Sequence, residues 1–128
     1  MDNRFYSDSE AFLSYISNKK VGIIGFGNQG EAHAKNLRDS GIDVAVNLRK
    51  SSDKIKLVTS LGFTLLSIES IVKWADIISI QIPDKLIPSV FNNISKMISS
   101  EKIILLSHGY VISYKKIKLT RYTNIVLV

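Results

Sequence analysis

The sequence predicts an α/β fold, a doubly wound parallel sheet with helices on both faces. Three observations carry that prediction. Short apolar, β-prone runs alternate with segments of helical periodicity along the 128 residues. The strand runs are continuously apolar rather than alternating, as strands covered on both sides are. A glycine-rich turn joins the first of these strands to the first long helical segment. Hydrophobic residues make up 45% of the chain and charged residues 22%, the balance of an ordinary globular domain.

The elements follow in order. Ser9 to Asn18 places Phe12, Leu13 and Ile16 at helical spacing and predicts a helix. Lys20 to Ile24 (KVGII) is the first strand, and Asn28 to Ser40 is a helix that Gly41 stops. Asp43 to Asn47 (DVAVN) is the second strand. Ser51 to Ser60 is a short helix with Ile55, Leu57 and Val58 as its apolar side, and Gly62 to Leu65 is a brief third strand. Ser67 to Ala75 is a helix with Glu69 in its first turn, where a negative charge favours the helix dipole. Asp76 to Ile82 (DIISIQI) is the fourth strand, closed by Pro83. Leu86 to Ile98 is helical, with Pro88 tolerated only near its first turn. Ile103 to Ser107 (IILLS) and Asn124 to Val128 (NIVLV) are the fifth and sixth strands. The crossovers between parallel strands should be right-handed.

Composition removes several classes of chemistry. There is no cysteine, hence no disulfide, thiol nucleophile or cysteine metal site. His33 and His108 lie far apart and share no metal-binding spacing. No apolar run reaches the roughly 18 residues of a membrane span. The opening MDNRFYSDSEAF is acidic and has no apolar signal region, so a cytoplasmic location is expected. The net charge is +6, and its one tight basic group is Lys115, Lys116, Lys118 and Arg121. With only Tyr114 and Tyr122 as aromatic neighbours, that group reads as a solvated face. No nucleic-acid or membrane partner is expected.

The chemistry-bearing signal is the turn after the first strand. Gly25, Gly27 and Gly30 form GxGxxG between a strand and a helix, the Rossmann-type context for a dinucleotide. Gly25 permits the sharp turn, Gly27 leaves room for a pyrophosphate, and Gly30 lets the helix pack closely on the strand. The helix start then offers free N–H groups and a positive dipole end to the phosphates. A tight turn without a ligand is the plainer alternative. After the second strand, Asn47-Leu48-Arg49-Lys50-Ser51-Ser52 lacks the carboxylate usual for NAD. The Arg49 guanidinium suits a 2′-phosphate, and Ser51 and Ser52 can add hydrogen bonds, so NADP is favoured over NAD. A solvated Lys/Ser loop is the alternative there. His108 follows the fifth strand, at the edge where open α/β sheets bind ligands, and an acid/base or substrate-orienting role fits it. His33, on the helix after the glycine turn, fits local packing. The acidic residues form no cluster: Gly41 divides Asp39 from Asp43, Asp76 starts a strand, and Asp84 sits in a turn. No metal ligands are predicted in this chain.

Lys20 to Gly41 (KVGIIGFGNQGEAHAKNLRDSG) resembles the opening of ketol-acid reductoisomerase, the acetohydroxy-acid isomeroreductase family of valine and isoleucine synthesis. The likeness runs on through Val46 to Ser52, Ala75 to Asp84 and Leu105 to Tyr110, and back to Phe5, so it covers nearly the whole chain in order. It implies that Phe26, Gly27, Asn28 and Gln29 face the cofactor phosphates, and that Arg49, Ser51 and Ser52 read the 2′-phosphate of NADP(H). It places Pro83, Asp84, Lys85 and Leu86 in the cofactor-contacting turn and His108 at the active site. The chain departs from the family pattern at Asn28, Glu31, Ile55 and Lys85.

In such enzymes two Mg²⁺ ions polarise an acetohydroxy acid, an alkyl group migrates, and NADPH reduces the new ketone. The resemblance also implies a second, helical domain that carries the metal carboxylates and the dimer interface. The sequence ends in the sixth strand, so residues 1–128 are expected to be the dinucleotide-binding domain alone, a fold truncated after about that strand. Such a domain is expected to bind NADPH without turning over. A stand-alone NADP-binding module, sensor or subunit that works with another chain, and a non-functional remnant that exposes apolar surface and self-associates, are the other expectations.

Overall fold

The computed structural model describes residues 4–99, 101–119 and 124–128; Arg121 of the basic group and its aromatic neighbour Tyr122 lie outside them. Six strands form one sheet: β1 (Lys20–Ile24), β2 (Asp43–Asn47), β3 (Thr64–Leu65), β4 (Ile77–Ile80), β5 (Ile103–Leu106) and β6 (Asn124–Leu127). Every pairing is parallel, and the strand order is β3-β2-β1-β4-β5-β6. The chain winds outward from β1 to β3, then returns past β1 to begin β4. That reversal opens a crevice beyond the carboxyl ends of β1 and β4, where doubly wound folds bind their ligands.

Five helices cover the sheet: α1 (Asn28–Asp39), α2 (Ile55–Ser60), α3 (Ile68–Trp74), α4 (Ile87–Ser95) and α5 (Tyr110–Ser113). Strand side chains alternate between two cores. Val21, Ile23 and Val46 pack with Ala34 of α1 and Val58 of α2. Ile24, Ala45, Ile78, Ile80, Ile104 and Leu106 pack with Ile71 of α3, Phe91 and Ile94 of α4, and Val111 of α5. The continuous apolar runs of the sequence thus serve both faces. In α4 the buried residues Ile87, Phe91 and Ile94 fall on one stripe, and Pro88 sits in the first turn, where its missing N–H has no partner to lose. Ser67 caps α3 by accepting a hydrogen bond from the Ser70 N–H at 3.1 Å.

The structure departs from the sequence expectation in several places. Ser9 to Asn18 is not a helix but two 3-10 turns, Asp8–Glu10 and Leu13–Tyr15. Phe12 and Leu13 are exposed, and only Ile16 packs on the core. With no face to bury, a segment this short cannot offset the cost of helix nucleation. Local contacts replace the helix. The Glu10 carboxylate accepts from the Ser7 N–H at 2.8 Å, which holds the Glu10 carboxyl below its usual range, and Phe12 meets Tyr15 edge-on at 5.7 Å.

The second helix begins at Ile55 rather than Ser51, because the Ser52 hydroxyl accepts from the Lys54 N–H and holds a turn there. The fourth strand closes at Ile80, two residues early. The short helix α5 has no counterpart in the sequence reading. At the sheet edge, Val126, Leu127 and Val128 are exposed.

Candidate functional site

The turn between β1 and α1 is set by three glycines, each for a separate reason. Gly25 has φ +101°, and a Cβ there would stand 2.2 Å from the Gln81 carbonyl oxygen. Only glycine fits that turn. Its N–H donates to the Asn47 carbonyl at 3.0 Å, tying the turn to the end of β2. A Cβ on Gly30 would lie 2.7 Å from the Gly25 carbonyl oxygen, so this glycine lets α1 sit directly on the turn. Gly27 differs: a Cβ there would meet nothing within 4 Å. The fold makes no demand for glycine at that point, and the open space belongs to the crevice.

The crevice is a cleft of about 370 Å³. Gly27, Asn28, Gln29 and Gly30 form one wall, at the start of α1. The first N–H groups of a helix have no acceptor within it, so this wall presents donors and the positive end of the dipole. Gln81, Ile82, Pro83 and Asp84, after β4, form the opposite wall, and Ser107 and His108, after β5, close one end. Ile80 and Ile87 supply apolar surface below. Strand-end residues separated by tens of positions thus converge because β1, β4 and β5 are parallel neighbours.

The structure puts the expected site residues in different places, with Gly25 in the turn itself. Gly27, Asn28, Gln29, Gly30, Pro83, Asp84 and His108 line the cleft. Arg49, Ser51 and Ser52 sit beside it rather than in it, on the loop after β2 at the same carboxyl edge of the sheet, and Arg49 is exposed. Phe26 is buried to 3% exposure and packs edge-on against Phe63 at 5.8 Å, so its side chain serves the core and only its backbone is near the turn. Lys85 and Leu86 are exposed in the 3-10 turn ahead of α4 and do not line the cleft. Glu31, in the first turn of α1, pairs with Lys35; that hydrogen bond, aided by the charges of Lys35 and Lys54, holds its carboxyl below the usual range. Among the described residues, no three His, Asp or Glu side chains converge on a point that could hold a metal ion.

Two polar cleft residues, Gln81 and Ser107, escaped the sequence reading, as did the apolar Ile80, Ile82 and Ile87. Gln81 donates from Nε2 to the Ser79 hydroxyl at 2.9 Å, and its Oε1 accepts from the Ser107 hydroxyl at 3.0 Å. Ser79 is 2% exposed, a buried polar side chain among the strand residues. The signal available was a glutamine two residues after a serine in one strand run, and a serine closing the next.

The fit to a dinucleotide rests on the open cradle at Gly27 and the donor wall beside it. Comparison with known proteins agrees. Residues 15–128 match the family model described as acetohydroxy acid isomeroreductase, NADPH-binding domain. The chain belongs to the acetohydroxy acid isomeroreductase family. It is 40% identical over 126 residues to a ketol-acid reductoisomerase (NADP(+)) of Pyrococcus abyssi, covering 98% of this chain and 38% of that protein. It is 37% identical over 129 residues to the ketol-acid reductoisomerase (NADP(+)) of an Arthrobacter species, again 38% of the relative's length. Among solved structures, an NADH-preferring ketol-acid reductoisomerase from an uncultured archaeon superposes with a TM-score of 0.86 at 26% identity, over 94% of this chain and 38% of that one. A semialdehyde dehydrogenase NAD-binding protein from Cupriavidus necator, at 19% identity and TM-score 0.76, shares the fold alone. The acetohydroxy acid isomeroreductase likeness thus spans nearly all of this chain and 38% of its curated relatives. Among the described residues, no helix is long and apolar enough to cross a membrane.

Proposed function

We propose that the chain is the NADPH-binding domain of a ketol-acid reductoisomerase, with residues 1–128 as one domain and the metal and most substrate contacts supplied from elsewhere in the full enzyme. The observation that carries this reading is the vacant Cβ position of Gly27 on the donor wall of the cleft. The pyrophosphate lies against Gly27, Asn28 and Gln29, on the turn that Gly25, Phe26 and Gly30 shape. The adenosine half extends over the end of β2, where Arg49, Ser51 and Ser52 meet the 2′-phosphate. The nicotinamide half enters between β1 and β4 toward Pro83, Asp84 and His108, with Lys85 and Leu86 at its rim. Bound NADPH supplies the hydride that reduces a ketone. His108 is exposed at the cleft end, and its role would be to orient an acetohydroxy acid or to hold a proton beside the ring. Among the described residues no three acidic or histidine side chains converge, and the Mg²⁺ of the full reaction would be held by carboxylates in the second, helical part of the family's length.

Titration calorimetry of the chain with NADPH and NADH tests the reading. NADPH should bind at least tenfold more tightly, and Arg49→Gln should weaken NADPH by about 10- to 100-fold while leaving NADH unchanged. Equal or tighter NADH binding by the parent chain would overturn the role of Arg49. Failure to bind either would overturn the whole reading. With Mg²⁺ and 2-acetolactate, the chain alone should not consume NADPH; consumption would refute the division of labour between domains.

A further inference from the structure

The cleft holds a built polar device that neither the glycine turn nor the 2′-phosphate loop explains. β4 and β5 pair in parallel, with Ser79 opposite Leu105 and Ile80 opposite Leu106. Continuing that register by one step sets Gln81 opposite Ser107. Residues two apart on a strand share a face, so Ser79 and Gln81 lie on one side of the sheet, as do Leu105 and Ser107. The hydrogen bonds follow from this placement. Buried Ser79 holds one end of the Gln81 amide, and Ser107 holds the other. The backbone is held as well. The Gln81 N–H donates to the Ile24 carbonyl at 2.8 Å, and the Gln81 carbonyl is the group against which Gly25 turns. The start of α1 closes in from above: a Cβ on Gly30 would lie 3.3 Å from the Cβ of Gln81.

A primary amide has two N–H donors and two acceptor lone pairs. Ser79 occupies one donor and Ser107 one lone pair, and one of each remains. Gln81 and Ser107 both line the cleft, whose nearby surface at Ile80, Ile82 and Ile87 is apolar. A fixed donor and acceptor beside an apolar surface suit a flat ring bearing its own primary carboxamide. Such a carboxamide offers the complementary pair, a C=O to accept and an N–H to give. Within a dinucleotide laid across this crevice, the nicotinamide is the half on the β4 and β5 side.

We propose that Gln81, steadied by Ser79 and Ser107, is the receptor for the nicotinamide carboxamide and sets the rotation of the ring in the cleft. The proposal rests on the dinucleotide reading above. Gln81 is a positioning residue here: it orients the cofactor and transfers no proton.

Three ligands test it on the full chain by calorimetry: NADPH, its 3-acetylpyridine analogue, in which a methyl group replaces the carboxamide NH₂, and 2′-phospho-ADP-ribose, which lacks the ring. The parent chain should bind NADPH about fivefold to tenfold more tightly than the analogue, the worth of one hydrogen bond. Gln81→Leu should bind both equally, with its affinity for 2′-phospho-ADP-ribose unchanged. Ser107→Ala, a gentler change, should shrink the discrimination without removing it. Equal binding of NADPH and the analogue by the parent chain would overturn the proposal, with no variant needed. So would discrimination that survives in Gln81→Leu, or a matching loss for 2′-phospho-ADP-ribose, which would mark a purely structural role. If 2′-phospho-ADP-ribose binds and discrimination is absent, this inference alone fails. If none of the three binds, the dinucleotide reading fails and takes this inference with it.

Discussion

Gly27 and Gly30 are two residues of the same motif, and the structure predicts opposite consequences for changing them. Gly27→Ser places a side chain where no protein atom lies within 4 Å, at the cap of α1 and with an ordinary φ of −77°. Serine is a better helix cap than glycine, so stability should hold or rise by about 0.5 kcal/mol. The same side chain fills the space a pyrophosphate needs. Losing one or two hydrogen bonds to a charged group costs about 1.5–3 kcal/mol, or roughly 10- to 100-fold in NADPH affinity. Gly30→Ala reverses the balance. Its Cβ would stand 2.7 Å from the backbone oxygen of Gly25, which cannot swing aside as a side chain could. Overpacking of this kind costs about 1–3 kcal/mol. For a chain of this size that lowers the melting temperature by roughly 4–12 °C. Circular dichroism melts of both variants, paired with NADPH titrations, separate the two effects. The reasoning is refuted if Gly27→Ser melts as low as Gly30→Ala, or if Gly27→Ser binds NADPH like the parent chain.

Three further predictions concern the scaffold. Ser67→Ala removes the cap that accepts the Ser70 N–H and should cost about 1 kcal/mol, seen as a fall of roughly 4 °C in the melt. Phe91→Ala empties a position that is 1% exposed under the sheet and should cost about 3–5 kcal/mol, read from the urea midpoint; a loss below 1 kcal/mol would mean that α4 does not pack as described. The Glu31 carboxyl is held below its ordinary value of 4.5 by Lys35, so the native state binds fewer protons there than the unfolded chain. Its small contribution is present above that value and is lost as pH falls through the folded value. Glu31→Gln should therefore melt slightly below the parent at pH 7 and converge with it in acid. A gap that widens toward low pH would contradict the pairing.

The elements that could be read in advance are those whose signals are local. KVGII is apolar at every position but its first, and β1 forms there. The glycine turn follows because no other residue takes the Gly25 backbone. Ser67 and Pro88 mark helix starts by capping and by φ, and α3 and α4 begin beside them. The N-terminal segment shows where a local pattern misleads. Phe12, Leu13 and Ile16 are spaced for a helix, but the fold gives Phe12 and Leu13 no surface to cover, and they stay exposed. Phe26 shows the same limit inside the motif: its position is at the glycine turn, while its side chain belongs to the core with Phe63.

By itself the sequence determined the alternation of strands and helices, the glycine turn, the basic loop after β2 and the family likeness, because each is written in neighbouring residues or in an ordered set of short motifs. Only the tertiary structure decided which strand ends meet. Gln81 and Ser107 stand 26 residues apart, and their hydrogen bond exists because β4 and β5 pair in one register rather than another. Register is set by long-range packing of both sheet faces, not by any local window. For that reason the glycine wall of the cleft was legible from the start, and the amide that faces it was not.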